Sequence, residues 1–257
     1  MLQDLKKNNR NTVQFLPNAI TLLGLISGLT ALHNTFQKHY GLTVLFFCMA
    51  AVFDFMDGAV ARLFNANSDL GAQLDSLADI VSFGVSPALA IYIWGMNTKL
   101  GWAVALAYIA CAALRLARFN TLLGEPDRSV YAKYFFVGLP TPAGALLLLI
   151  PFLTTIQFGE GWWNNQYLIA TWTIIVGLLL VSKIPMLSLK EITIPSGFVP
   201  IALIVSIGFA VSLFNMPIVT IWVIGLLLLL FIPASAITHY RLTKNTNENQ
   251  QNKEDMK

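Results

Sequence analysis

The chain has 257 residues, a net charge of +3, 56% hydrophobic residues and only 11% charged ones. A soluble domain carries about a quarter charged residues, so there are too few charges to cover a water-facing surface of this size. The cations sit in short polar breaks and at the two ends, a topology signal that excludes a nucleic-acid-binding patch.

Residues 1–12 are polar and basic, with Lys6, Lys7 and Arg10, and are read as a cytoplasmic N-terminal segment. No cleavable signal is expected, because the first apolar block is too long for a signal core and lacks a clear cleavage site. Apolar blocks follow at 16–36, 40–60, 72–96, 99–122, 138–156, 166–182, 197–213 and 217–237. Each is near the ~20 residues that a membrane-crossing helix needs, the seventh being short. Barrel strands would be shorter and would alternate. The expected fold is therefore an all-α integral membrane bundle of about eight transmembrane helices over residues 13–240. Residues 241–257, rich in Asn, Gln, Lys and Glu, are expected to be a disordered cytoplasmic tail. Cys48 and Cys111 lie inside apolar segments and read as core packing.

With eight spans both ends face one side. That side collects Lys6, Lys7, Arg10, Arg62, Arg115, Arg118, Arg128, Lys133, Lys183, Lys190, Arg241, Lys244, Lys253 and Lys257; the other holds Lys38 and Lys99. The positive-inside rule makes the termini cytoplasmic, and a seven-span count would mix the two sets. Tyr40, Trp94, Trp102, Trp162 and Trp163 fall near segment ends on the far side, as an aromatic belt would.

The second and third blocks carry acids at an unusual density. Asp54 and Asp57 are three residues apart, and Asp75 and Asp79 four. Both spacings put the pair on one helix face. A short turn near residues 65–70 makes the two helices antiparallel neighbours, so the four carboxylates converge at the cytoplasmic boundary. Acids in a membrane segment are costly, and like charges in one site repel unless something neutralises them. A hard divalent cation such as Mg²⁺, Mn²⁺ or Ca²⁺ does so, and no Cys/His set competes for a softer metal. The alternative is structural pairing of these acids with Arg62, Arg115 and Arg118. Gly58 and Gly71 flank the acids; glycine permits close approach of a ligand, although in membranes small residues also serve helix packing.

Asp54, Asp57, Gly58, Ala61, Arg62, Gly71, Asp75 and Asp79 together spell D-x2-D-G-x2-A-R-x8-G-x3-D-x3-D. This pattern resembles the signature of the CDP-alcohol phosphotransferases at every fixed position. The resemblance implies attack of an alcohol hydroxyl on the lipid-linked phosphate of a CDP-activated lipid, with CMP leaving. It implies that Asp54, Asp57 and Asp75 bind divalent metal, Mg²⁺ or Mn²⁺ and two ions by expectation, and that Asp79 binds metal, acts as the general base, or both. Gly58, Ala61, Arg62 and Gly71 would meet the CDP-lipid. So would Asn18 and Thr21, in a Pro17–Thr21 segment that is also read as capping the first helix. Phosphoryl transfer is mainly positioning and charge stabilisation, which suits such a set.

The flanks narrow the resemblance. Pro17–Thr21, Leu77–Pro87, Leu114–Asn120 and Gly138–Pro142 are similar to the bacterial and archaeal integral-membrane phosphatidylserine synthases, with Ser86 in place of an expected Ala. L-serine is thus the expected acceptor and CDP-diacylglycerol the donor. Arg115, Arg118 and Asn120 are candidates to hold the serine, since an Arg fork suits a carboxylate; positive-inside topology is the competing explanation. The resemblance further implies six core helices, with the last two an addition, a location in the cell (inner) membrane with a cytoplasmic active site, and a homodimer. Other acceptors, glycerol 3-phosphate or inositol phosphate, remain open, as does a cation-coupled transporter, whose site would lie near the bilayer midplane.

Overall fold

The computed structural model describes residues 2–64, 66, 68–123, 135–182, 185–187, 208, 211–212, 215–233 and 235, the backbone alone at 2–14, 122–123, 135–137 and 185–187. The 241–257 tail, Arg128, Lys133 and most of the expected seventh segment lie outside the described residues.

Among the described residues the chain is helical apart from one small ladder. Helix α1 spans Leu2–Phe36, α2 Tyr40–Leu63, α3 Asp69–Asp79 and α4 Ser86–Gly95, the last two joined by a π-helical turn, Ile80–Val85. Helix α5 spans Lys99–Leu123, α6 Thr141–Leu148, α7 Ile150–Phe158 and α8 Gln166–Val181, and α9 covers Pro217–Pro233. Strands β1 (Phe135–Val137) and β2 (Pro185–Leu187) pair antiparallel, Phe136 opposite Met186.

Among the described residues four stretches are long and apolar enough to cross a membrane: Phe15–Phe36, Tyr40–Leu63, Asp69–Gly95 and Lys99–Thr121. They coincide with the first four expected blocks. The fifth block is broken: α6 and α7 meet at 42°. Pro151, in the first turn of α7, explains the break, because it lacks the N–H that would continue the ladder and its ring crowds the preceding turn. Counting this pair as one span gives five; α8 and α9 are apolar but shorter. Pro17 does not open α1, which runs through it from Leu2. Instead the Thr21 hydroxyl donates back to the Pro17 carbonyl at 3.1 Å.

The core lies among α4, α5, α6–α7 and α8, where Ile91, Tyr108, Leu147, Phe152 and Val176 are almost wholly buried. Tyr108 anchors α5 on the π-helical turn by donating to the Phe83 carbonyl, and Trp172 Nε1 donates to the Leu147 carbonyl at 2.8 Å. Helix α1 packs on the other side of the π-helical turn. A Cβ on Gly28 would stand 2.8 Å from Ser82 Cα, so only glycine permits this approach. Residues facing outward along the spans, among them Phe15, Ile26, Phe55, Leu114 and Leu178, are apolar and exposed, as contact with lipid requires.

Candidate active site between α1, α2 and α3

The acids come from two helices joined by a tight connection. Helix α2 ends at Leu63 and α3 begins at Asp69. Ser68 caps α3: its Oγ accepts from the Gly71 N–H at 3.0 Å, satisfying one of the free donors of the first turn. The helix start, and with it the register of Asp75 and Asp79, is thereby fixed.

Asp54, Asp57 and Asp75 each present an oxygen, and the three oxygens lie within 4.8 Å of one another. Asp79 is outside this trio and lies beside Asp54, close enough for the two acids to interact. All four acids, with Thr21 and Ser82, line a cavity of about 10 Å³, room for about one water-sized particle. Asp57 is buried, and its Oδ2 has no hydrogen-bond partner among the described residues. A buried carboxylate oxygen without a donor is costly. Three converging carboxylates with an orphaned oxygen and no soft ligand fit a hard divalent cation. Asp54, Asp57 and Asp75 would hold it.

A second cavity, of about 550 Å³, opens beside the first. Ligand sites for small molecules have this size. Six residues expected at the CDP-lipid, Asn18, Thr21, Gly58, Ala61, Arg62 and Gly71, all line it, together with Asp57 and Asp75. Gly71 faces Asn18: a Cβ there would stand 3.0 Å from Asn18 Oδ1 and 3.1 Å from Ser68 Oγ. Arg62 is exposed at the cavity and free to reach a ligand.

The residues expected around the acceptor divide. Arg115 comes off α5 half-buried, within electrostatic reach of Asp79 and Asp54. Its Nη1 donates to Thr141 Oγ1 at 2.6 Å, and its Cζ lies 5.2 Å from the centre of the Phe119 ring. Asn120 Nδ2 donates to Ser76 Oγ at 2.9 Å, tying α5 to α3 between Asp75 and Asp79. Arg118 is half-buried on the same helix, but its guanidinium makes no hydrogen bond among the described residues. The sequence reading missed Thr141, Ser76 and Ser68. Ser68 carried a signal, a capping residue directly before an acidic first turn; Ser76 and Thr141 are recognisable only from their tertiary contacts.

The model of the CDP-alcohol phosphatidyltransferase family matches residues 14–183. This chain belongs to that family. The match covers both acid-bearing helices, α5 and the Thr141 turn. Among curated relatives, the CDP-diacylglycerol–serine O-phosphatidyltransferase of Mycobacterium tuberculosis is 39% identical over 223 residues, 86% of this chain and 78% of that protein. The enzymes of the same name from Methanocaldococcus jannaschii and Bacillus subtilis are 40% identical over 167 residues and 35% identical over 174. These alignments cover 64% and 67% of this chain, and 70% and 89% of the relatives.

Proposed function

We propose that this protein is a phosphatidylserine synthase that transfers the phosphatidyl group of CDP-diacylglycerol to the hydroxyl of L-serine. The observation that carries the reading is the meeting of the acid trio, with its orphaned Asp57 oxygen, and a nucleotide-sized cavity lined by the other motif residues. The names of the curated relatives support serine over the other acceptors.

In this account the CDP moiety lies in the larger cavity, along Gly58, Ala61 and Gly71, with Asn18 and Thr21 on the α1 side. Arg62 contacts the diphosphate. The serine hydroxyl oxygen forms a bond to the lipid-linked phosphorus as the P–O bond to CMP breaks; CMP departs with the bridging oxygen. Asp79 accepts the hydroxyl proton. Arg115 and Arg118 bind the serine carboxylate, and Asn120 adds a polar contact. A divalent cation, Mg²⁺ or Mn²⁺ and two ions in the full site, would neutralise the acids and the diphosphate. The acyl chains enter sideways from the bilayer between helices.

The reading also includes eight spans in the cell (inner) membrane, with α8, α9 and the 197–213 segment completing the count. The termini and site face the cytoplasm, where the cations collect, where serine and metal are supplied and into which CMP leaves. The working unit is a homodimer. The test is CMP release by purified protein from CDP-diacylglycerol with Mg²⁺ or Mn²⁺, with and without L-serine, beside Asp79→Asn. Release that needs serine and metal and is lost in the variant supports the reading. Release with another alcohol replaces serine, and no release with any acceptor overturns the reaction.

A further inference from the structure

Arg115 is the cation that reaches from α5 toward the acids, and it is held from two sides. Thr141 is fully buried at the first turn of α6, and its hydroxyl oxygen accepts from Nη1 at 2.6 Å. The Phe119 ring, one helical turn further along α5, faces the guanidinium carbon at 5.2 Å. A long flexible side chain otherwise samples many rotamers and would collapse onto Asp54 and Asp79, whose charges pull on it. A short hydrogen bond to a buried acceptor and a flat ring restrict the orientation of the guanidinium, and its remaining N–H donors make no hydrogen bond among the described residues. Thr141 belongs to a separate helix, and its neighbours Pro140 and Pro142 limit the motion of the turn that carries it.

We infer that Thr141 and Phe119 are positioning residues that hold the Arg115 guanidinium off the acid cluster and aim it at the carboxylate of the incoming acceptor. The inference rests on the serine reading above and deepens it. Neither residue touches substrate; each acts through Arg115. A methyl in place of the hydroxyl leaves the shape intact and removes the acceptor, so Arg115 turns toward the acids and the serine carboxylate loses its partner.

The experiment measures the KM for L-serine, the KM for CDP-diacylglycerol and kcat for the wild type, Thr141→Val, Thr141→Ser and Phe119→Leu, with a thermal unfolding curve for each. Thr141→Val is expected to raise the serine KM on the order of tenfold, the size of a lost hydrogen bond to a charged group, with the CDP-diacylglycerol KM unchanged. Thr141→Ser, which restores the acceptor, returns the serine KM to near the wild-type value. Phe119→Leu shifts the serine KM in the same direction by a smaller factor, and decides the matter should Thr141→Val not fold. An unchanged serine KM in Thr141→Val, or in Phe119→Leu where that variant decides, overturns the inference. So does a loss shared equally by both substrates and not rescued by Thr141→Ser, which marks a structural role. A wild type that releases CMP without need of serine instead overturns the serine reading on which the inference stands.

Discussion

Asp57→Asn is the perturbation with the clearest sign. The replacement keeps the shape of the side chain and removes one of three converging charges. With the oxygens within 4.8 Å of one another and an effective dielectric of about 20, two ionised carboxylates repel by at least about 3.5 kcal/mol. Asp57 has two such neighbours, Asp54 and Asp75. Uptake of a proton by any of the acids relieves this repulsion. Without a cation, therefore, the wild type stores repulsion that the variant lacks, and Asp57→Asn should unfold at a higher temperature than wild type in chelator. With millimolar Mg²⁺ the order narrows or reverses, because the wild type binds the ion more tightly and gains more from mass action. Activity falls by at least ~100-fold, since loss of a contact that merely supports a metal ligand already costs 10–100-fold. The assay is thermal unfolding in detergent, with chelator and with Mg²⁺, alongside CMP release. A variant that melts below wild type in chelator, with equal Mg²⁺ shifts in both proteins, would refute the reasoning and leave the acids as structural partners.

Other changes follow from the packing. Gly28→Val drives a side chain into the Ser82 backbone, where a Cβ alone would stand at 2.8 Å; overpacking of about 1–3 kcal/mol or more should appear as a lower unfolding temperature or loss of folded protein in size-exclusion chromatography. Ser68→Ala removes the cap on α3 and should cost about 1 kcal/mol in unfolding experiments. Gly71→Ala crowds Asn18 Oδ1 at 3.0 Å on the wall of the larger cavity, and should raise the KM for CDP-diacylglycerol while leaving that for serine unchanged.

The acid cluster was legible because spacings of three and four residues fix a shared helix face whatever the fold, and the short link fixes the antiparallel pairing of α2 and α3. The first four spans were legible for a similar reason: nothing but a membrane explains apolar runs of that length. The break between α6 and α7 was not foreseen, although Pro151 marks it, because the run is continuously apolar across the bend. The π-helical turn after Asp79 leaves the hydrophobic pattern unchanged, and its close approach to Gly28 depends on a helix more than fifty residues earlier. The hold on Arg115 is likewise tertiary: Thr141 lies 26 residues along the chain, in the Gly138–Pro142 stretch that carried the family resemblance but gave no sign of a contact with Arg115. Helix α1 shows the opposite error, a proline taken for a boundary where the helix runs on through it.

The most direct test of the account is the identity of the lipid made when all candidate acceptors compete. Purified protein, CDP-diacylglycerol and Mg²⁺ are incubated with equimolar isotope-labelled L-serine, glycerol 3-phosphate and inositol phosphate, and the lipid products are read by mass spectrometry. Labelled phosphatidylserine in molar balance with CMP, and none from Asp79→Asn, is the expected result. A product carrying glycerol 3-phosphate or inositol phosphate, or phosphatidylserine formed equally well by the variant, would contradict it.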